Sequence, residues 1–416
     1  MSNKIINNEV LFRNNDQESY QKSILVWLLF MSLFIIIFRH TLLSRGRALT
    51  MADVIDSYAI IDIFAVLFAA LVIFASGSLV HTWQTYRRSS VMWLSFYYGL
   101  GALSILWTLK PLFSFYRAVE YLILMWATLT AAAQYKDFET GEKIFCRLVV
   151  LIIFLEFGLI IRLQGFGWSW EHWHTNTYSL QSAILFCYCL GEYLAMSRKE
   201  RSEKRDRAKR LRRYGTLSLL TLALGGSAGS NIAAAGGCLV IFLLLRNYLL
   251  LFVGSWLCLL VFLWVGDGWE VLRSILLPGK SDAALETGSG RFILWEYLWD
   301  KFLNQPVQGY GFGLAGFLSL GMASHTHNGY LTILIGTGLT GFAIFLVFSA
   351  KLWGQIIITG WQRKIGSLGC AGAMTAVFIN NLSINAMADR WITSSIIFIW
   401  LLALFSLHVR KPRPSC

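Results

Sequence analysis

The chain is expected to be an all-α polytopic membrane protein, and three observations predict it. Of its 416 residues, 56% are hydrophobic, 15% aromatic and only 14% charged, where a soluble globular domain carries roughly 25% charged residues. Mean hydropathy is +0.56, with 17 Trp and 29 Phe, which leaves too little polar surface to solvate the two or three soluble domains its length would allow. The net charge of +13 is concentrated in a few runs instead of covering a solvated face, as it would in a nucleic-acid-binding domain. Disordered, fibrous and disulfide-rich secreted classes are excluded by the same composition.

A bilayer core needs roughly 17 to 25 mostly apolar residues per helix, and such runs recur about twelve times. They lie near 23–39, 58–79, 90–108, 112–133, 144–163, 177–196, 214–229, 230–245, 248–266, 328–350, 365–384 and 391–408. Between the seventh and eighth lies only Gly225 to Asn231, a small-residue stretch that reads either as a tight turn or as a broken re-entrant element. Three regions follow: spans 1 to 9 in residues 1–266, one long loop in 267–327, and spans 10 to 12 with a tail in 328–416.

Assigned to alternate sides, about 24 Lys and Arg fall on the side of the N-terminus and about 11 on the other, so both termini are expected in the cytoplasm. The densest run, Arg198 to Arg213, has ten basic and three acidic residues and reads as a topology anchor beside anionic headgroups. The first span lacks a small-residue cleavage site after it and is read as retained. None of the seven cysteines makes a CxxC pair and all but Cys416 fall within spans, so they read as small packing residues.

Ionisable groups inside a bilayer are expensive, and Asp62, Arg117, Glu120, Glu156 and Arg162 all fall in the outer halves of their spans. Arg117 and Glu120, three residues apart, either pair with each other or line a polar cavity opening outward. Glu192, near the inner end of its helix, is expected to snorkel or to pair with Arg198. His172, His174, His325 and His327 lie in outer loops. No carboxylate or thiolate cluster accompanies them beyond Glu171, so no metal site is expected; a single imidazole can instead take a proton from a hydroxyl. His327 is the best placed, because Asn328 and Gly329 follow it and the tenth span begins there.

The long loop carries its own order. Thr287 to Arg291 precedes an amphipathic stretch, Phe292 to Phe302, in which Ser289 can cap a helix and Trp295 lies one turn beyond Arg291. Arg291 in the first helical turn, beside free N–H groups, makes an anion site suited to phosphate. Residues 311–316 match GxGxxG but no strand-turn-helix unit surrounds them, so a dinucleotide site is not implied. Those glycines are expected to let the backbone approach a membrane surface or a ligand.

In order, Ser289 Gly290 Arg291 with Trp295, then Pro306, Gly309 and Gly311, then His327 Asn328 Gly329 Tyr330 Leu331 and Gly338 with Gly341 resemble the O-antigen ligase and polysaccharide polymerase family of bacterial inner membranes. The resemblance implies a GT-C-like arrangement with short helices in a periplasmic loop. It also implies transfer of a glycan from an undecaprenyl-pyrophosphate carrier to an acceptor sugar hydroxyl, on a lipid-linked glycan or lipid A core, at the periplasmic face. No metal, nucleotide or other cofactor is implied, and no nucleic acid. Carried over by motif, His327 looks like the base and Arg291 like a pyrophosphate ligand, with inversion at the anomeric carbon. His325, Asn328, His174 and Asn176 look like acceptor or accessory contacts, the last two through the family's His-x-Asn pattern.

The sequence departs from the family at Ser227 Ala228 Gly229 Ser230 Asn231, where relatives usually carry an Arg after a Ser. Either Arg117, Arg162 or Arg390 supplies that cation, or Asn231 and the backbone N–H groups of the glycine-rich break take its place. The departure tilts the reading towards polymerase within a polymerase-or-ligase pair that shares donor and chemistry. A transporter or flippase of lipid-linked saccharides is the alternative, which would be expected to show inverted repeats and paired broken helices.

Overall fold

A computed structural model describes residues 25–37, 57–135, 137–164, 176–248, 291–319, 326–383, 387 and 392–409. Those residues are almost entirely helical, with no strand among them. The order is α1 (Leu25–Ile37), α2 (Ser57–Ala75), α3 (Ser78–Tyr86), α4 (Val91–Leu103), α5 (Pro111–Ala133), α6 (Phe138–Gln164), α7 (Asn176–Ala195), α8 (Arg198–Glu203), α9 (Arg205–Gly225), α10 (Ala228–Leu244), α11 (Arg291–Asn304), α12 (Ala315–Leu318), α13 (Gly329–Trp361), α14 (Ser367–Asn380) and α15 (Thr393–Val409). By length and composition, α5 and α13 are long and apolar enough to cross a membrane, or three helices are if α2 and α3 count as one bent span. Five shorter apolar helices, α1, α4 with its 3-10 extension, α10, α14 and α15, accompany them. The ninth expected span, 248–266, lies outside the described residues.

The second expected span departs from a straight rod. It breaks at Gly77, whose φ of 63° is left-handed, and α3 leaves α2 at 90°. The stretch at Gly225 to Asn231 resolves into a turn between two helices. Gly226 at φ 56° ends α9 and Ser227 caps α10 by accepting from the Ser230 N–H at 3.4 Å.

Small residues set the spacing of the central helices. α7 packs against α9, α10 and α14, and α10 packs against α14. At these contacts an added Cβ would collide: 2.6 Å from the Leu368 backbone at Gly191, 2.6 Å from the Tyr188 carbonyl at Gly369, and 2.7 Å from the Gly372 carbonyl at Gly237. Such close backbone approach is how helices associate where lipid removes the hydrophobic drive. Cys187 serves the same end, its thiol donating to the Ala234 carbonyl at 3.5 Å.

At the basic end, Arg207 is buried between two carboxylates. It is bonded to Glu142 and lies 2.8 Å from Glu192, while Arg210 reaches Glu142 at 3.1 Å. Glu192 also accepts from the N–H groups of Gly366 at 2.8 Å and Gly369 at 3.0 Å. The expected Glu192–Arg198 pair is therefore replaced by Glu192–Arg207. Arg198 opens the separate short helix α8, whereas Arg207 lies on α9, which packs along α7. The basic run is thus not only a topology anchor: one of its residues ties α6, α7, α9 and the start of α14 together.

Candidate active site

The candidate base sits where α13 begins. Asn328 caps that helix, its side-chain oxygen accepting from the N–H groups of Tyr330 at 3.0 Å and Leu331 at 3.1 Å. His327, immediately before the cap, adopts φ 53°, a left-handed backbone uncommon outside glycine although tolerated by His. The flanking residues hold it there. The Thr326 hydroxyl donates to the Asn328 carbonyl at 2.8 Å, accepts from the Asn328 N–H at 3.1 Å and lies 2.6 Å from the Thr332 hydroxyl. The Gly329 N–H donates to the Asn381 carbonyl at 2.7 Å, and a Cβ at Gly329 would strike the Asn381 side chain at 2.2 Å. The imidazole itself is half-buried.

The loop helix comes to the same place. Arg291 is the first residue of α11, as the sequence predicts, and Trp295 one turn on donates its indole N–H to the Thr326 carbonyl at 2.8 Å. Trp295, about one helical turn into α11, is thereby pinned to the residue before His327. Leu294, Leu298 and Phe302 on α11 join Leu331 and Ile335 of α13 in a small hydrophobic cluster of their own. Arg291 is half-buried, and among the described residues no carboxylate forms an ion pair with it. Desolvation pulls its pKa below the ordinary value, although a guanidinium stays charged at any physiological pH. A partly desolvated, uncompensated cation at a helix start is chemically an anion site.

Gly309 and Gly311 of the loop make backbone contacts within the protein. At Gly338 the backbone of α13 turns to φ 63°, ψ −164° and the helix breaks. The segment Pro306 to Gly311 fills the break. Tyr310 N–H donates to Ile335 O and Gly311 N–H to Gly336 O, both at 2.8 Å, while Leu339 N–H donates to Pro306 O at 2.8 Å and Thr340 N–H to Val307 O at 3.1 Å. A Cβ at Gly338 would lie 2.3 Å from the Val307 carbonyl, and one at Gly309 2.6 Å from Gly338 N. At Gly309 and Gly338 the missing side chain lets backbone approach backbone within the protein. Phe312 then seats among Tyr97, Tyr98 and Tyr121 against Gly101, locking the loop to α4 and α5.

The other sequence candidates divide. Arg117 has its charge committed: it lies 2.8 Å from Glu120 and 3.8 Å from Asp62, the ion pair that was one of its two readings. Asn231 lies in the first turn of α10, its N–H donating to the Ser227 carbonyl at 2.9 Å. It connects indirectly to the His327 region, because the neighbouring Ser230 hydroxyl accepts from Asn380 at 3.1 Å and Asn381 holds Gly329. Asn176 opens α7, but its side chain, that of Arg162, and all of His172, His174, Ser289, His325 and Arg390 lie outside the described residues. Among the described residues no three His, Cys, Asp or Glu gather as a metal site. The sequence reading missed the Trp295–Thr326 link and the part played by Asn380 and Asn381. The only advance signal for the link was the one-turn spacing of Trp295 from Arg291.

These features define an all-helical fold, with helices long and apolar enough to cross a membrane, in which a helical loop element is docked beside the start of a long apolar helix. Residues 215–346, which run from α9 through Asn231, Arg291 and His327 to beyond the Gly338 break, match the family model described as O-Antigen ligase. Over that segment the chain is similar to the O-antigen ligase family. Similar proteins named "Putative polysaccharide ligase" occur in Rickettsia prowazekii (26% identical over 149 residues, 32% of this chain and 36% of that protein), Rickettsia conorii (24% over 148 residues, 32% and 35%) and Rickettsia felis (26% over 153 residues, 32% and 35%). The match spans about a third of the length of these relatives.

Proposed function

We propose that the protein transfers a glycan from an undecaprenyl-pyrophosphate carrier to a sugar hydroxyl, at the periplasmic face of a bacterial inner membrane, with about twelve spans and both termini cytoplasmic. The observation that carries this reading is the Trp295–Thr326 hydrogen bond, which links the helix of Arg291 to the residue before His327. His327 takes the proton of the acceptor hydroxyl as that oxygen attacks the anomeric carbon. The bond to the carrier pyrophosphate breaks on the opposite face, inverting the centre, and Arg291 takes up the departing negative charge. A diphosphate is a good leaving group, so a positioned base and a fixed cation suffice without a metal.

Asn231 and Arg390 remain candidates for the second diphosphate contact. Arg117, neutralised by Glu120 and Asp62, is less suited to it. His325, His174 and Asn176 are proposed as acceptor or accessory contacts, while Asn328 acts by capping the helix that presents His327. The names of the family and of the rickettsial relatives favour ligation onto lipid A core over polymerisation, against the tilt taken from Asn231. The transporter reading loses support because the break in α13 is filled by the chain's own backbone.

Purified protein given labelled lipid-linked glycan, with and without lipid A core, tests the choice. Product formed only with core is the expected result; chain growth without core would make the protein a polymerase, and no product in either mixture would overturn the proposal.

A further inference from the structure

A second cluster, on elements away from His327, joins α6, α7 and α15. Glu156, Gln181, Thr393 and Ser394 are 3%, 0%, 1% and 4% exposed. The Thr393 hydroxyl donates to Glu156 Oε1 at 2.6 Å. Gln181 Nε2 donates to the hydroxyl oxygens of Thr393 at 3.3 Å and Ser394 at 3.0 Å. With those donors spent, Glu156 Oε2 and Gln181 Oε1 are left buried and, among the described residues, without a hydrogen-bond partner. No cation among the described residues forms an ion pair with Glu156. Two orphaned acceptors on facing helices are costly, at about 1–3 kcal/mol each and more for a charged group, and a membrane carboxylate in this state marks a functional site by default.

We propose that Glu156, Gln181, Thr393 and Ser394 form a subsite for sugar hydroxyl groups, holding the glycan part of the lipid-linked substrate. The inference rests on the glycan-transfer reading and deepens it. The chemistry selects the ligand class: both free atoms are acceptors, so the occupant must bring donors, and adjacent hydroxyls of a sugar present donors in pairs. The neighbouring hydroxyls of Thr393 and Ser394 can act in either sense. A divalent cation would keep an unbalanced charge beside this single buried carboxylate.

The test reads binding without turnover, using purified full-length protein in detergent and two ligands: undecaprenyl-pyrophosphate-linked oligosaccharide and bare undecaprenyl pyrophosphate. Glu156→Gln should weaken the glycan-bearing ligand about ten-fold, as expected for loss of a hydrogen bond to a charged acceptor, and leave the bare carrier unchanged. Gln181→Met, which removes the second acceptor at similar size, should act in the same direction. If both variants bind both ligands as wild type does, the proposal is overturned and a buried water bridging the two oxygens is the occupant. Equal losses for both ligands would also overturn it, as general damage. Selective loss in a protein that binds glycan but transfers none would still support the subsite and overturn only the transfer reading.

Discussion

At His327 three separate constraints meet on one residue: a left-handed backbone, a capped helix directly after it, and a neighbour tied to the loop helix by an indole. Trp295 is therefore a positioning residue, and Trp295→Phe removes its N–H while keeping an aromatic ring. We expect kcat to fall about ten-fold with KM little changed, and thermal stability to move by no more than about 1 kcal/mol. Parallel loss of stability and activity would make the bond structural. Arg291 touches the donor in the proposal. Arg291→Ala should raise KM for the lipid-linked donor more than Arg291→Lys does, since lysine keeps a point charge and loses the bidentate fork; equal effects would indicate packing. Both residues were legible in the sequence because chemistry and spacing are local. The hydrogen bond between Trp295 and Thr326 joins positions 31 residues apart, and no local pattern announces it.

Among the elements, α13 shows where periodicity misleads. The run from 328 onward reads as one apolar span, yet Gly338 breaks it and Pro306 to Gly311 supplies the missing hydrogen-bond partners. Non-helical backbone at such depth is tolerated only where protein satisfies it. Gly338→Ala places a Cβ 2.3 Å from a carbonyl oxygen at a positive φ. It should destabilise the docked loop, read as faster proteolysis within 306–311 and lowered transfer; wild-type proteolysis would contradict the account of the break. At the basic end, Arg207→Met strands Glu192 without its cation and leaves Glu142 with Arg210 alone. A loss of about 3–5 kcal/mol is expected in a denaturation measurement, against less than about 1 kcal/mol for Arg198→Met, whose residue opens a short helix with no buried side chain. Comparable losses would restore Arg198 as the partner. Sequence could not choose between these two arginines, because both stand in one basic run and only the packing of α9 on α7 selects Arg207.

Across the whole molecule, composition and hydropathy carried the all-helical character and the apolar helices, since a bilayer's demand for long apolar helices is a strong constraint on sequence. They did not carry how the helices associate. That depends on single glycines meeting backbone, as at Gly191, Gly237 and Gly369, and on polar groups that find partners only across elements, as Asn380 finds Ser230 and Asn381 finds Gly329. The same convergence places the α10 turn and the start of α13 against the end of α14. The central claim is that this assembly moves a glycan with His327 as its base. The most direct test is turnover of labelled lipid-linked glycan onto core acceptor by purified His327→Ala protein, beside wild type at matched insertion and matched donor binding. Transfer is expected to be lost, to at most about one part in a hundred of wild type, while donor binding is kept; wild-type turnover by the variant would contradict the role of His327.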